Sequence, residues 1–381
     1  MRLVIGVIVL LTVSGIAISG FVWLGLAGQP DLEASVVNSV PTIVEDDQFE
    51  RAYEARPIVF PKDLGAHETF QTEWWYYTGN LADEAGNRYG FQLTFFRRSL
   101  TPIAAERTSE WGSNQLYFAH FTLTDAAHNT FYPHERFSRG GAELAGGQSV
   151  PYQVWLEDWR ATEIEPGVVQ LQAREGEVAL DLRIEPLKPV VLQGDRGFSP
   201  KSDEPGNASY YYSFTRNQAE GTIQTPDGLA TVSGFVWKDH EWSTSALGPN
   251  AEGWDWFSLQ LDDGREMMYF QIRNADGSIE PVSDGVIVEA DGRALPLALG
   301  DVQVEALDFW QSKTSGARYP AKWRVVVPSA QVDVTLTPLV NNQELNLFFT
   351  YWEGAVRIEG SQSGFGYVEM TGYSRTMQGV F

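Results

Sequence analysis

One stretch of this chain is used twice, and that repeat limits the fold more than any other feature. Residues 73–97 read EWWYYTGNLADEAGNRYGFQLTFFR, and residues 253–273 read GWDWFSLQLDDGREMMYFQIR. Each copy passes from a Trp-rich segment through a Leu-Ala-Asp or Leu-Asp-Asp step and a Gly-containing turn into a second apolar segment ending in Arg. Aligned on Leu81 and Leu261, Trp74 meets Trp254, Tyr76 meets Trp256, Tyr77 meets Phe257 and Asp83 meets Asp263. Aromatic runs on either side of an Asp/Asn/Gly turn are the sequence form of a β-hairpin. A hairpin that recurs after about 180 residues predicts two similar β-domains rather than a short-period solenoid.

At 381 residues the chain is long enough for two cores. Its 13 Trp, 15 Tyr and 21 Phe lie in short runs punctuated by 36 Gly and 19 Pro, which favours antiparallel β structure over helix. The expected architecture is all-β, with two tandem antiparallel barrels over residues 49–218 and 219–381, because closing each sheet removes its edges. Gly194–Asn207 has no periodicity and two prolines, the pattern of a long loop acting as a lid or interdomain element.

A formal charge of −23 with no basic patch argues against nucleic acid as a partner. The absence of cysteine excludes disulfides, thiolate zinc sites and a Cys nucleophile. Arg2 precedes an uncharged run, Leu3–Ala27, and acidic residues follow it. This is a cleaved signal peptide or an uncleaved anchor over residues 1–27, with a polar linker at 28–48. Either form places the body outside the cytoplasm, periplasmic or extracytoplasmic.

The motifs carry a family resemblance. EWWYYTGNL with YGFQLTFFR is followed by Ala119-His120-Phe121 with Leu123 and Asp125, then by VSGFVWKDHEWS with GWDWFSLQLDDG, and finally by YWEGAVRIEG with GYVEMTGY. In this order they resemble the AttH/CrtC-type lipocalin-like family over Ile58–Tyr373. That family includes carotenoid 1,2-hydratases (hydroxyneurosporene synthases), and its fold is similar to that of certain fungal Diels–Alderases. The resemblance implies two calycin-like barrels and a lipophilic ligand such as a terpenoid, a carotenoid or an acyl chain. It implies either a hydro-lyase or, through AttH, a non-catalytic lipid-binding partner of an ABC-type membrane transporter. A monomer without cofactor is expected.

Within Asp239-His240-Glu241-Trp242, strand alternation puts His240 and Trp242 on one face and Asp239 and Glu241 on the other. In the second hairpin Asp255 shares an otherwise apolar face with Phe257, Leu259 and Leu261, where the first copy has Trp75. A carboxylate buried among aromatic rings has a raised pKa and can act as a proton donor. Asp255 is therefore the expected acid, assisted by His240 and walled by Trp242, as the resemblance to hydratases also implies. A buried hydrogen-bonded network of the same residues is the structural alternative. Trp75, Tyr77, His120, Trp254 and Phe257 are the expected ligand contacts. His67, His128 and His134 read as surface or loop residues. No metal site is expected, since no pair of histidines has ligand spacing.

Overall fold

The computed structural model describes residues 48–102, 109–244 and 247–379, all within one compact unit that spans Ile43–Phe381. The apolar run Leu3–Ala27 and nearly all of the linker lie outside the described residues. Among the described residues no helix is long and apolar enough to cross a membrane.

Two antiparallel sheets make up the body. The first contains β1 (Thr72–Asp83), β2 (Arg88–Ser99), β3 (Gln115–Asp125), β4 (Thr130–Arg139), β5 (Ala145–Ser149), β6 (Tyr152–Leu156) and β7 (Trp159–Glu165). It continues with β8 (Val168–Glu175), β9 (Val178–Pro186), β10 (Val191–Leu192), β11 (Phe198–Pro200), β12 (Ala208–Thr225) and β13 (Gly228–Ser243). The second contains β14 (Ala251–Leu261), β15 (Glu266–Asn274), β16 (Asp284–Val288), β17 (Ala294–Ala298) and β18 (Gln303–Gln311). Its remaining strands are β19 (Arg318–Val327), β20 (Val332–Pro338), β21 (Glu344–Asn346), β22 (Thr350–Gly360) and β23 (Gly364–Met370). The first sheet curls into a nearly closed barrel and the second into a half-barrel.

The repeated hairpins occupy equivalent positions. The main strand orders are 4-3-2-1-13-12-9-8-7-6-5 and 17-16-15-14-23-22-20-19-18. In each sheet the first strand of the hairpin therefore lies between its hairpin partner and the last long strand. Trp75 pairs with Phe95 and His240, as Asp255 pairs with Gln271 and Met370. The turns match in kind, with Gly86 and Gly264 both at φ +86, a left-handed conformation that favours glycine.

Ordinary outer strands such as β9 alternate as a half-buried sheet should, with Leu180, Leu182 and Ile184 inside and Asp181 and Glu185 exposed. The hairpin strands do not, and β2 is buried at nearly every position. One face, including Trp75, Tyr77 and Leu81, fills the first barrel. The other face packs on the second sheet. The packing is reciprocal, as in a twofold pair. Asn80 Nδ2 donates to Gly366 O at 3.0 Å, and the equivalent Gln260 Nε2 donates to Thr215 O at 2.8 Å. Glu266 of β15 is fully buried against β12, holding Arg216 and Lys188.

Two expectations change. The expected division between Gln218 and Ala219 falls inside β12; the sheets change over between Ser243 and Ala251, so β13 with His240 and Trp242 belongs to the first sheet. The reason is hydrogen bonding, since β13 closes the first sheet between β1 and β12. His134, read as a surface or loop residue, lies on the strand β4.

Gly90 sets the distance between the sheets, because a Cβ added there would lie 2.5 Å from the Ala355 Cβ. Gly90→Val is expected to cost about 1–3 kcal/mol by overpacking, measured by denaturant unfolding. An unchanged midpoint would show that the sheets are not in close contact there.

Candidate active site

Between the outer faces of the two hairpins lies a partly open cavity with an empty volume of about 820 Å³, the solvent space at its mouth included. Its walls come from both sheets in equivalent pairs. Trp74 and Trp254 form one pair and Tyr76 and Trp256 another, while Tyr211 and Tyr351 sit at matching places on β12 and β22. The polar pair is Asp239 and Glu369, which face Tyr76 and Trp256 across the β1–β13 and β14–β23 ladders. Phe96, Phe270, Ile272 and Phe349 make much of the remaining apolar wall.

The two acids are held differently. Asp239 Oδ1 accepts hydrogen bonds from Trp237 Nε1 at 2.7 Å and Ser213 Oγ at 2.5 Å, and Oδ2 from Tyr211 OH at 2.8 Å. Burial nevertheless pushes its pKa up to about 7, and the charge of Glu241 adds to this. Glu369 accepts the indole N–H of Trp254 at 2.8 Å and lies directly across the strand pair from Glu353. Burial pushes Glu369 up to about 7, while burial and the charge of Glu369 raise Glu353 well above the usual carboxylate range. Tyr76 OH donates to Glu353 Oε1, and Glu353 Oε2 is buried without a hydrogen-bond partner among the described residues. A proton shared between these two carboxyls satisfies that atom, because two like charges so placed do not both ionise.

A third acid, Glu241, is neutralised at the cavity wall. Lys201 Nζ lies 2.9 Å from its Oε1 and 4.5 Å from the centre of the Phe270 ring. Lys201 comes from the segment Gly194–Asn207, which carries the short strand β11 and does contribute to the region between the sheets.

The expected site residues divide. Trp254 lines the cavity. Trp75 and Tyr77 are buried in the core of the first barrel, and Phe257 in the core of the second sheet. Asp255 has the expected face, but that face is filled core, and the open space lies on the opposite face. Its carboxylate is tied to Arg273 Nε at 3.1 Å and Gln271 Nε2 at 2.9 Å. His240 is in the other sheet, so the two do not converge on the cavity. His240 is fully buried between Glu73 Oε1 at 2.8 Å and Tyr212 OH at 2.8 Å, with Trp75 stacked 4.8 Å away. Burial pushes its pKa down to about 4, so it is neutral. Trp242 is also fully buried, stacked on His67 at 3.8 Å.

His67 is accordingly not a free surface residue. Its ring joins Glu73 at 2.7 Å and Asp63 at 3.0 Å. Burial alone would lower its pKa, but these two carboxylates raise it on balance. His67, Glu73 and His240 bring possible ligand atoms within 4.8 Å of one another. The positive charge there is already supplied by Arg97, whose Nε is 2.8 Å from Glu73. His120 lies beside the cavity, bonded at 2.7 Å to the wall residue Tyr351.

Asp239, Glu353 and Glu369 were missed by reasoning from the sequence. Their signal was present: each is an acid inside a strongly apolar or aromatic strand segment, FVWKDHEW, YWEGAV or GYVEM.

Two interlocked β-barrel sheets with an aromatic, acidic cavity between them define a lipocalin-like two-barrel protein. The AttH-like family model matches residues 51–373, and the chain belongs to that family. The crystal structure of an AttH-type protein from Nitrosomonas europaea is similar, with 35% identity and a TM-score of 0.78; the match covers 86% of this chain and all of that one. Kievitone hydratase from Nectria haematococca shares the fold, with a TM-score of 0.64 at 14% identity, over 86% of this chain and 98% of that chain. The search of curated proteins gave no match.

Two outcomes follow. Asp255→Asn weakens the bond to Arg273 and is expected to cost about 1–3 kcal/mol while leaving cavity binding of a neutral dye, N-phenyl-1-naphthylamine, unchanged. Lost dye binding in a folded variant would return Asp255 to the site. Glu369 has a folded pKa raised from 4.5 to about 7, so its contribution to stability is full below the unfolded value and is lost as pH rises through 7. Glu369→Gln should therefore melt higher than the wild type at about pH 8, and this advantage should vanish near about pH 5. Parallel melting curves at both pH values would refute a raised pKa.

Proposed function

We propose that this chain binds a lipophilic molecule carrying an isolated C=C bond between its two sheets and adds water across that bond. The observation that carries the proposal is the pair Asp239 and Glu369, two acids near pKa 7 in an aromatic cavity. An acid with a pKa near working pH is suited to general acid catalysis.

In this reading the Glu369 carboxyl gives its proton to one alkene carbon. The π electrons form the new C–H bond and leave a tertiary cation on the other carbon. The faces of Trp74, Trp254 and Trp256 stabilise that cation, and the Asp239 carboxylate balances its charge. A water oxygen then supplies the electron pair of the new C–O bond and releases one proton. Burial keeps Glu369 protonated before the reaction, and the charges of Glu241 and Asp239 also oppose its ionisation. Membership of the AttH-like family supports a lipophilic ligand, and the shared fold of a protein named as a hydratase is compatible with the chemistry. The extracytoplasmic location read from Arg2 and Leu3–Ala27 is part of the same proposal.

The test is incubation with lycopene and with geranylgeraniol in ¹⁸O-water, followed by mass spectrometry of the extract. An ¹⁸O-labelled tertiary alcohol is expected, and Glu369→Gln should lower its rate by about two to four orders of magnitude without abolishing binding. Retention of an apolar molecule with no turnover of any acyclic isoprenoid would favour the transporter-linked carrier. Undiminished turnover in Glu369→Gln would remove that residue as the acid.

A further inference from the structure

His120 is fully buried among Phe96, Phe118 and Phe349, yet both of its ring nitrogens are engaged. Nδ1 lies 2.7 Å from Tyr351 OH, and Nε2 lies 3.0 Å from Glu135 Oε1. Tyr351 lines the cavity. Glu135 reaches the surface, with its side chain 16% exposed. The two buried groups thus join the cavity to solvent through one carboxylate.

The hydrogen-bond order fixes the direction of this chain. Glu135 accepts the backbone N–H of Phe348, at 3.1 and 3.3 Å from its two oxygens. As an acceptor, Glu135 requires His120 Nε2 to carry the proton. Burial lowers the His120 pKa and keeps the ring neutral, so Nδ1 is the acceptor and Tyr351 must donate its hydroxyl proton to it. Gln92 Nε2 donates to the Tyr351 oxygen at 3.0 Å. One lone pair of that oxygen is left for the cavity.

A second observation marks the same spot. Gln92 is 1% exposed and lines the cavity, and its Oε1 is buried without a hydrogen-bond partner among the described residues. An orphaned carbonyl beside a phenol oxygen with a lone pair to spare offers two acceptors to one donor-rich molecule. Water is the smallest group that fits such a pair.

We infer that Gln92 and Tyr351 hold the water that adds to the substrate, and that Tyr351, His120 and Glu135 carry its proton out to solvent. This rests on the hydration reading above. As the water oxygen forms its bond to the cation, its O–H bond breaks and that proton passes to the Tyr351 oxygen. The phenol proton moves to His120 Nδ1, and the Nε2 proton moves to Glu135, which exchanges it with bulk water. The sum is one proton from the adding water to solvent, with each relay group restored once the His120 tautomer reverts. Tyr351 is the catalytic residue in this scheme, and His120 and Glu135 are positioning residues that act through it. Glu369 keeps its separate task as the acid and regains a proton from solvent after the product leaves, which balances the one released through Glu135. The scheme therefore divides the proton transfers between two residues of neighbouring strands, Glu369 of β23 as the acid and Tyr351 of β22 as the acceptor of the water proton.

The experiment measures kcat and KM for the ¹⁸O-labelled product in the wild type, Glu135→Gln, Tyr351→Phe and the double variant. Glu135→Gln keeps the acceptor for Phe348 and the shape of the side chain but cannot take up the proton. It should lower kcat by about a hundredfold with KM unchanged. Tyr351→Phe should show a similar loss, and the double variant should be no slower than the worse single one, because the groups act as a unit. A structural role would instead lower the melting temperature, raise KM and give additive losses. An unchanged kcat in Glu135→Gln, with the wild type active, would overturn the relay alone. No turnover by the wild type would overturn the hydration reading and the relay with it.

Discussion

The structure depends on the meeting of two sheet faces that must both be covered. The hairpins β1–β2 and β14–β15 each present one apolar face to their own sheet's interior and a second, mostly aromatic face outward. Neither outer face can remain in water without a large cost, so each covers the other. Polar groups on these faces are thereby removed from solvent. Most are satisfied where they fall: Asn80 and Gln260 bond backbone carbonyls across the junction, and Glu266 holds Arg216 and Lys188. Asp239, Glu353 and Glu369 have no cation of that kind among the described residues; Asp239 and Glu369 line the cavity between the faces, and Glu353 lies across the strand pair from Glu369. An acid kept there without a counter-charge lowers stability near neutral pH, which a purely structural network would avoid.

The contrast with the network around Glu73 shows how similar residues acquire different roles. Glu73 is fully buried, yet its pKa is well below the ordinary range: burial would raise it, but the charges of Arg97 and His67 and the bond to His240 prevail. Its oxygens are saturated and it stays a carboxylate. Glu369 has no cation of that kind beside it among the described residues, and burial raises its pKa to about 7. The Glu73 group fixes the mouth of the first barrel to the segment before β1. The Glu369 group leaves a proton available inside an aromatic wall.

Much of the fold was legible in the sequence because the hairpin repeat and period-2 alternation are local signals. The aligned pairs from Trp74/Trp254 to Leu81/Leu261 recur in the strand registers. The site was less legible for two physical reasons. Strands buried on both faces give no alternation that tells core from interface, so Asp255, on an apolar face, looked like an acid aimed at a ligand. In fact that face is packed core, and the cavity is on the Trp254 and Trp256 side. The second reason is that partners distant in sequence decide a buried group's charge. Nothing near Asp239 or Glu369 in the sequence announces that no arginine reaches them, and nothing near His240 announces Glu73, 167 residues away. Alternation within Asp239-His240-Glu241-Trp242 was correct; the face that lines the cavity is the one carrying the two acids.

The reciprocal packing of the hairpins has a further consequence for the direction in which a molecule can lie. A cavity on a perfect twofold offers the same groups from both sides, so a molecule would bind equally well in the two orientations related by that axis. Here the halves differ at the matching positions. Asp239 is held by Trp237, Ser213 and Tyr211, while Glu369 is backed by Glu353; Tyr211 leads to Asp239, while its counterpart Tyr351 leads to His120. Each difference makes one wall chemically distinct from the other. A molecule lying between them therefore has two unequal orientations to choose from, although both walls are built on the same hairpin.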